Sequence, residues 1–337
     1  MAMAGPDAGQ APSPWAAHRR RAEILRERYP FAAEVLTVYL ALLDVWEDGF
    51  DAARADRPDP RQLARWAAER VLPGVVKATE AVGPEPLAAA ADDLLAAGRV
   101  DGSLAAWLAR GELTPVERYL ARASLRAPLA ALEADVGAAC ADDPSPRGGR
   151  RCPRCGGPPQ LSFRSRAEDP LVSGPRQLAC ARCGQSWSYS ASSCPSCGET
   201  SGSRRTVYAE RHDGPVVGRR EANREADREA NREANREADH GADREADRGA
   251  DREADRGADR EADGEADREA ADVAVGAPTF PHLRIDACAS CKRYLIDVDL
   301  DRDTGAVPEV DELAALPLDL YATEHGLTKI TSNLMGF

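Results

Sequence analysis

Eight of the nine cysteines in this 337-residue chain form four Cys-x-x-Cys pairs: Cys152/Cys155, Cys180/Cys183, Cys194/Cys197 and Cys288/Cys291. Two intervening residues let both sulfurs of a pair turn toward one ion, in a loop whose backbone N–H groups point at the thiolates. Three of the pairs are followed by glycine (Gly156, Gly184, Gly198), which can take the positive φ such a turn needs, and the fourth by Lys292. Two pairs complete one tetrahedral four-cysteine site, so four pairs predict two sites. One pair alone would fit a redox dithiol equally well. Four of them in Gly- and Pro-bearing turns point to structural metal. Zinc and iron both accept tetrahedral sulfur, and the ligand set does not separate them. Four thiolates around a divalent ion leave a formal charge of about −2. Arg154, Arg182 and Lys292 lie in or beside three of the turns, where a cation offsets it. With four protein ligands no position is open for substrate, which disfavours metal-dependent hydrolysis. Cys140, unpaired, reads as a small buried hydrophobe.

The gaps between pairs suggest how they combine. Cys155 and Cys180 are separated by 24 residues, enough for a hairpin between two turns. Cys197 and Cys288 are separated by 90, of which 53 belong to the repeat tract 220–272. Sequential pairing then gives two tandem zinc-ribbon or rubredoxin-like units. Gap lengths alone leave an interleaved pairing open.

The elements around these turns differ along the chain. Residues 1–17 are rich in Ala, Gly and Pro and are expected to be disordered. Residues 18–141 read as a domain of five to seven helices. Within Phe31–Phe50, Val35, Leu36, Tyr39, Leu40, Leu43 and Trp46 share one helical face. Thr114, Pro115 and Glu117 form a capping box with proline at the first helical position. Ser103 reads as another N-cap, and Pro128 is expected to end or kink its helix. A linker is placed at 142–150, the first ribbon at 151–192 and the second at 193–312. A C-terminal helix and tail follow at 313–337. Short β-prone runs, Trp187–Tyr189 and Thr206–Tyr208, lie among the cysteine turns. The fold class is therefore α+β and multidomain. It comprises a helical N-terminal domain, two tandem four-cysteine metal units and a short C-terminal helix.

The helical domain presents no catalytic constellation. His18 stands in an arginine run and is expected to be solvated. Asp44, Glu47 and Asp48 read as the solvent face of an amphipathic helix.

Residues 220–271 are thirteen tetrads of the type Arg-Glu-Ala-Asp/Asn. On a helix this period puts like charges at i,i+4 and attractive pairs at i,i+3, which nearly cancel. No large apolar residue is available to bury. The tract reads as a solvated insertion in a surface loop, with His240 an incidental repeat variant. With 11 Arg against 10 Asp and 10 Glu, 220–272 carries −9 of the chain's −13. The remainder is mildly acidic, which argues against a dedicated nucleic-acid binder. No apolar run approaches the length of a membrane span, and no apolar stretch follows the N-terminal basic cluster as a secretory signal requires.

The order of parts resembles the FdhE family of formate dehydrogenase accessory proteins. The resemblance rests on CPRCGGPPQLS from Cys152, on the Leu-x-Cys-x-x-Cys-x-x-x-Trp pattern from Leu178 to Trp187, and on the fourth pair followed by Tyr294-Leu295. It rests too on the acidic-to-leucine stretch before the C-terminal helix. It covers about 150–215 and 280–337 well and the helical region loosely. It implies a cytoplasmic, non-enzymatic factor that binds the catalytic subunit of a molybdenum- or tungsten-dependent respiratory formate dehydrogenase. Such a factor is needed for assembly of that subunit before export. The family's metal motifs map onto Cys152, Cys155, Cys180, Cys183, Cys194, Cys197, Cys288 and Cys291. The 220–272 insertion departs from the family pattern. Two other readings compete: a zinc-ribbon nucleic-acid binder, for which no aromatic-rich strand is present, and a rubredoxin-like iron electron carrier.

Overall fold

The computed structural model describes residues 13–132, 136–140, 149–165, 174–211, 214–218 and 278–337. The repeat tract 220–272 and most of the linker at 142–150 lie outside the described residues.

Among the described residues, seven α-helices precede residue 132: α1 (Ala16–Arg28), α2 (Ala33–Asp56), α3 (Leu63–Arg70), α4 (Leu72–Val82), α5 (Glu85–Ala96), α6 (Val100–Leu108) and α7 (Pro115–Ala131). A single turn, α8 (Val136–Ala139), follows. The apolar face predicted within Phe31–Phe50 is the buried face of α2. Leu36, Tyr39, Leu43 and Trp46 are all within 3% of full burial. That face packs on α1, α4 and α7, and Trp46 donates to the Ala123 carbonyl of α7 at 2.7 Å.

The capping box at the start of α7 is formed, with Thr114 and Glu117 each bonding the other's backbone N–H. Three local expectations are corrected. Ser103 does not cap α6, which begins three residues earlier, and its hydroxyl bonds the Arg99 carbonyl inside the helix. Of the two outcomes expected at Pro128, an end or a kink, the first is excluded at that residue. The helix runs on to Ala131 because Leu125, Ala127 and Leu129 are fully buried on its inner face, and packing outweighs the lost backbone bond. The stretch expected to be disordered at 1–17 includes Trp15, whose indole is buried against Trp46 and Phe50.

Among the described residues, eight strands make a single sheet: β1 (Pro159–Arg164), β2 (Arg176–Cys180), β3 (Ser186–Ser188), β4 (Arg205–Arg211), β5 (Gly214–Gly218), β6 (Leu283–Cys288), β7 (Arg293–Asp299) and β8 (Thr328–Lys329). Their order is β3-β2-β1-β7-β6-β4-β5, with β8 beside one end of β7. The first cysteine unit contributes β1 to β3 and the second β4 to β7. The two units join where β1 runs parallel to β7, Ser162 opposite Asp297. Buried ions stitch this seam. Asp297 accepts from Ser162 at 2.5 Å and pairs with Arg164 and Arg284, while Asp286 of the second unit holds Arg176 of the first and its own Arg205.

The C-terminal segment contains two short helices, α9 (Pro308–Ala314) and α10 (Leu316–Glu324). Helix α9 lies between the bundle (α1, α2) and the sheet (β1, β7), so the helical region and the ribbons share one core. Among the described residues no helix is long and apolar enough to cross a membrane.

Candidate metal centres

Each Cys-x-x-Cys pair folds into the same tight loop. The N–H of the residue after the second cysteine donates to the carbonyl of the first: Gly156 to Cys152 at 2.9 Å, Gly184 to Cys180 at 3.1 Å, Gly198 to Cys194 at 2.9 Å and Lys292 to Cys288 at 2.9 Å. This closure demands a left-handed residue. The three glycines have φ of +66°, +71° and +82°, and Lys292 adopts +57° at the equivalent place despite its side chain. The glycine signal in the sequence was therefore a conformational one, and the fourth loop meets it without glycine.

Strands then bring the loops together in sequential order. Loop one leads into β1, β2 leads into loop two, and the β1–β2 pairing places Pro159 opposite Cys180. The β6–β7 hairpin carries loop four at its tip, and the Ala289 N–H bonds the Arg204 carbonyl beside loop three. Cys152, Cys155, Cys180 and Cys183 thus form one group. Cys194, Cys197, Cys288 and Cys291 form the other, with the four sulfurs of each group within 4.8 Å of one another. The interleaved alternative is not adopted.

The donor sets fit a tetrahedral ion. For metal–sulfur bonds of about 2.3 Å the edge of a regular sulfur tetrahedron is about 3.8 Å. The measured Sγ–Sγ edges are 3.7 Å (Cys152–Cys183), 3.4 Å (Cys155–Cys180), 3.8 Å (Cys194–Cys291) and 3.8 Å (Cys197–Cys288). The backbone cradles the first group so closely that a Cβ on Gly157 would stand 2.6 Å from the Cys180 sulfur. The Gly157 N–H points at Cys155 Sγ and the Arg182 N–H at Cys180 Sγ, both at 3.4 Å. Two four-cysteine groups are therefore positioned to bind metal ions.

The surroundings of the two groups differ. All four sulfur residues of the first are buried. Arg182, one of the three cations picked out beside the loops, is buried there, donating to the carbonyls of Cys155 and Trp107 at 3.1 Å. Sequence reading missed Arg126. From α7 it lies against Gly184 of the second loop and pairs with Glu309 of α9 at 2.6 Å. Burial by itself would raise the Glu309 carboxyl, but Arg126, with His18 and Arg122, holds it below its ordinary value. Burial pushes Arg122 down to about 10, because its guanidinium bonds only neutral groups, the carbonyls of Ser332 and Asn333 and the amide of Gln160.

Cys140 is buried, as expected, and stands outside both four-cysteine groups. In the second group Cys194 and Cys288 are buried, Cys291 is partly open and Cys197 is exposed. Of the other two cations picked out, Arg154 bonds Gln185 across the first pair of loops, and Lys292 is exposed.

A third cluster was not foreseen. His282, Asp303 and Asp311 have ligand atoms within 4.8 Å of each other. The Arg21 guanidinium fills the space among them, bonded to both carboxylates, so the cation there belongs to the protein. His18 is also corrected. It is not solvated but half-buried, its Nδ1 2.7 Å from the Tyr39 hydroxyl, because α9 covers this end of α1. Asp44 and Asp48 are exposed as expected, with Arg19 bridging Asp44 and Glu47.

The chain matches no protein-family model. In sequence, a 56-residue segment is 38% identical to the protein FdhE homolog of Aquifex aeolicus (strain VF5). The segment spans 17% of this chain and only 20% of that relative's length. In three dimensions the chain superposes on the crystal structure of the FdhE protein from Pseudomonas aeruginosa, with 97% of each chain covered, a TM-score of 0.54 and 18% identity. The fold is that of FdhE. The FdhE likeness extends across the helical region as well as the ribbons, a wider reach than the cysteine motifs alone suggested.

Proposed function

We propose that this chain is an accessory factor in the maturation of a respiratory formate dehydrogenase. It binds the catalytic subunit in the cytoplasm before export and performs no chemistry on formate itself. The observation that carries this reading is the FdhE fold over 97% of the chain, together with two complete four-cysteine groups. Cys152, Cys155, Cys180 and Cys183 would hold one zinc or iron ion, and Cys194, Cys197, Cys288 and Cys291 the other. Each ion, when bound, supplies a cross-link between two loops, so that binding energy at the site is folding energy. The ribbons and adjoining helices would present the surface that the immature subunit recognises.

Co-purification from cells expressing both proteins tests the reading directly. The immature catalytic subunit should be retained. A strain lacking the factor should make that polypeptide but leave it inactive. Full dehydrogenase activity in such a strain would overturn the proposal, as would formate turnover by the factor alone. A rubredoxin-like electron carrier is the reading that reversible one-electron chemistry of an iron-loaded second site would favour.

A further inference from the structure

We infer that the second four-cysteine group is a metal-exchange centre, able to pass its ion to a soft-donor ligand such as a partner's thiol, while the first is locked in place. The inference rests on the reading of both groups as metal sites.

It follows from how each group is enclosed. Around the first, Cys152, Cys155, Cys180 and Cys183 are between 1% and 4% exposed. Arg126 covers its second loop from α7, Arg182 ties it to the end of α6 through the Trp107 carbonyl, and Trp107 stacks over the Arg182 guanidinium. An incoming ligand can reach that ion only after the bundle separates from the ribbon. Opening of this kind has a free energy approaching that of the fold.

Around the second, the enclosure is one-sided. Cys194 and Cys288 are each 1% exposed, but Cys197 is exposed and Cys291 partly so. These outer cysteines are the second of each pair, and each holds an edge of the sulfur tetrahedron with a buried partner: Cys197 with Cys288, and Cys291 with Cys194. The contacts that brace the two loops are those of a loop surface, namely Ser290 to Glu199 at 2.8 Å and Arg150 to the Ser196 carbonyl at 2.7 Å. The outer side of this group is therefore open, while Cys194 and Cys288 stay anchored to β6 and to Tyr189, whose hydroxyl bonds the Cys194 carbonyl at 3.1 Å.

Such a geometry would allow stepwise substitution of a bound ion. Cys197 or Cys291 would yield its place to a donor thiolate or chelating nitrogen and take a proton from water, with no change in the ion's charge. The other outer cysteine would follow in the same way, and Cys194 and Cys288 would be the last to let go.

The test uses the full chain, prepared without oxygen and loaded with zinc. Total metal is measured first. The protein is then challenged with the chelator 4-(2-pyridylazo)resorcinol in the presence of iodoacetamide, and alkylated peptides are identified by mass spectrometry over time. Two ions per chain should be found at the outset. Release should be biphasic, one ion per phase, with the fast phase at least about tenfold quicker. Cys197 and Cys291 should be alkylated in that phase, while the four first-group cysteines stay protected. A single rate for both ions, or early alkylation of the first group, would overturn the inference. Fewer than two ions at the outset would instead sink the metal reading, and the inference with it.

Discussion

Arg21 of α1 holds both carboxylate oxygens of Asp311, a residue 290 positions later in α9, with Nε at 3.1 and 3.0 Å. Both side chains are buried, and Asp303 and His282 complete the cluster. This is the polar latch between the helical region and the C-terminal segment. Replacing one partner of a buried pair strands the other charge, at a cost of about 3–5 kcal/mol. Arg21→Met should therefore lower stability by that order in chemical denaturation. The double variant Arg21→Met/Asp311→Leu should lose less than the two single variants combined. Additive losses would show that the pair is not coupled.

Gly156 and Gly157 make a sharper comparison because they are neighbours with different constraints. A Cβ on Gly156 meets nothing within 4 Å but would sit at φ +66°, whereas one on Gly157 would strike the Cys180 sulfur. Gly156→Ala should cost about 1–2 kcal/mol and keep two ions per chain. Gly157→Ala should lose the first ion, because loop two must shift to admit the methyl. Metal content by elemental analysis decides between them.

Lys292 occupies a glycine position without being glycine. Relieving a left-handed φ of +57° should stabilise the fourth loop. Lys292→Gly is therefore expected to raise stability by about 1 kcal/mol and leave the metal content unchanged. An unchanged or lower melting temperature would contradict this.

His18 makes stability pH-dependent. Burial holds its imidazole below the ordinary value of 6.5, an effect that Glu309 opposes and Arg126 reinforces. The unfolded chain therefore takes up a proton at a pH where the folded chain does not. The stability from neutral His18 is complete above about pH 6.5 and is lost as pH falls through the folded value. The slope should not exceed about 1.4 kcal/mol per pH unit. His18→Gln should flatten the dependence between pH 6.5 and 5. An identical slope in the variant would move the effect to another group.

Much of the chemistry was legible before any fold. The eight paired cysteines, the left-handed glycines closing three of the four loops, the capping box at Thr114 and the apolar face of α2 were all readable. Each depends on a few consecutive residues, and short-range backbone sterics settle such features whatever the rest of the chain does. Ser103 and Pro128 mark where that logic stops, since packing of α6 and α7 overrode their local preferences. The gaps pointed to the sequential grouping of loops that is found, but could not decide it against an interleaved one, because Cys197 and Cys288 are 91 residues apart and meet only through strand pairing. The parallel β1–β7 seam that turns two units into one sheet was not readable. The contacts of Arg126 with Gly184 and of Arg21 with Asp311, and the difference in exposure between Cys197 and Cys183, also needed the tertiary structure. Burial is a property of the whole packed chain: it depends on where α7 and α9 come to lie, and no local pattern encodes it.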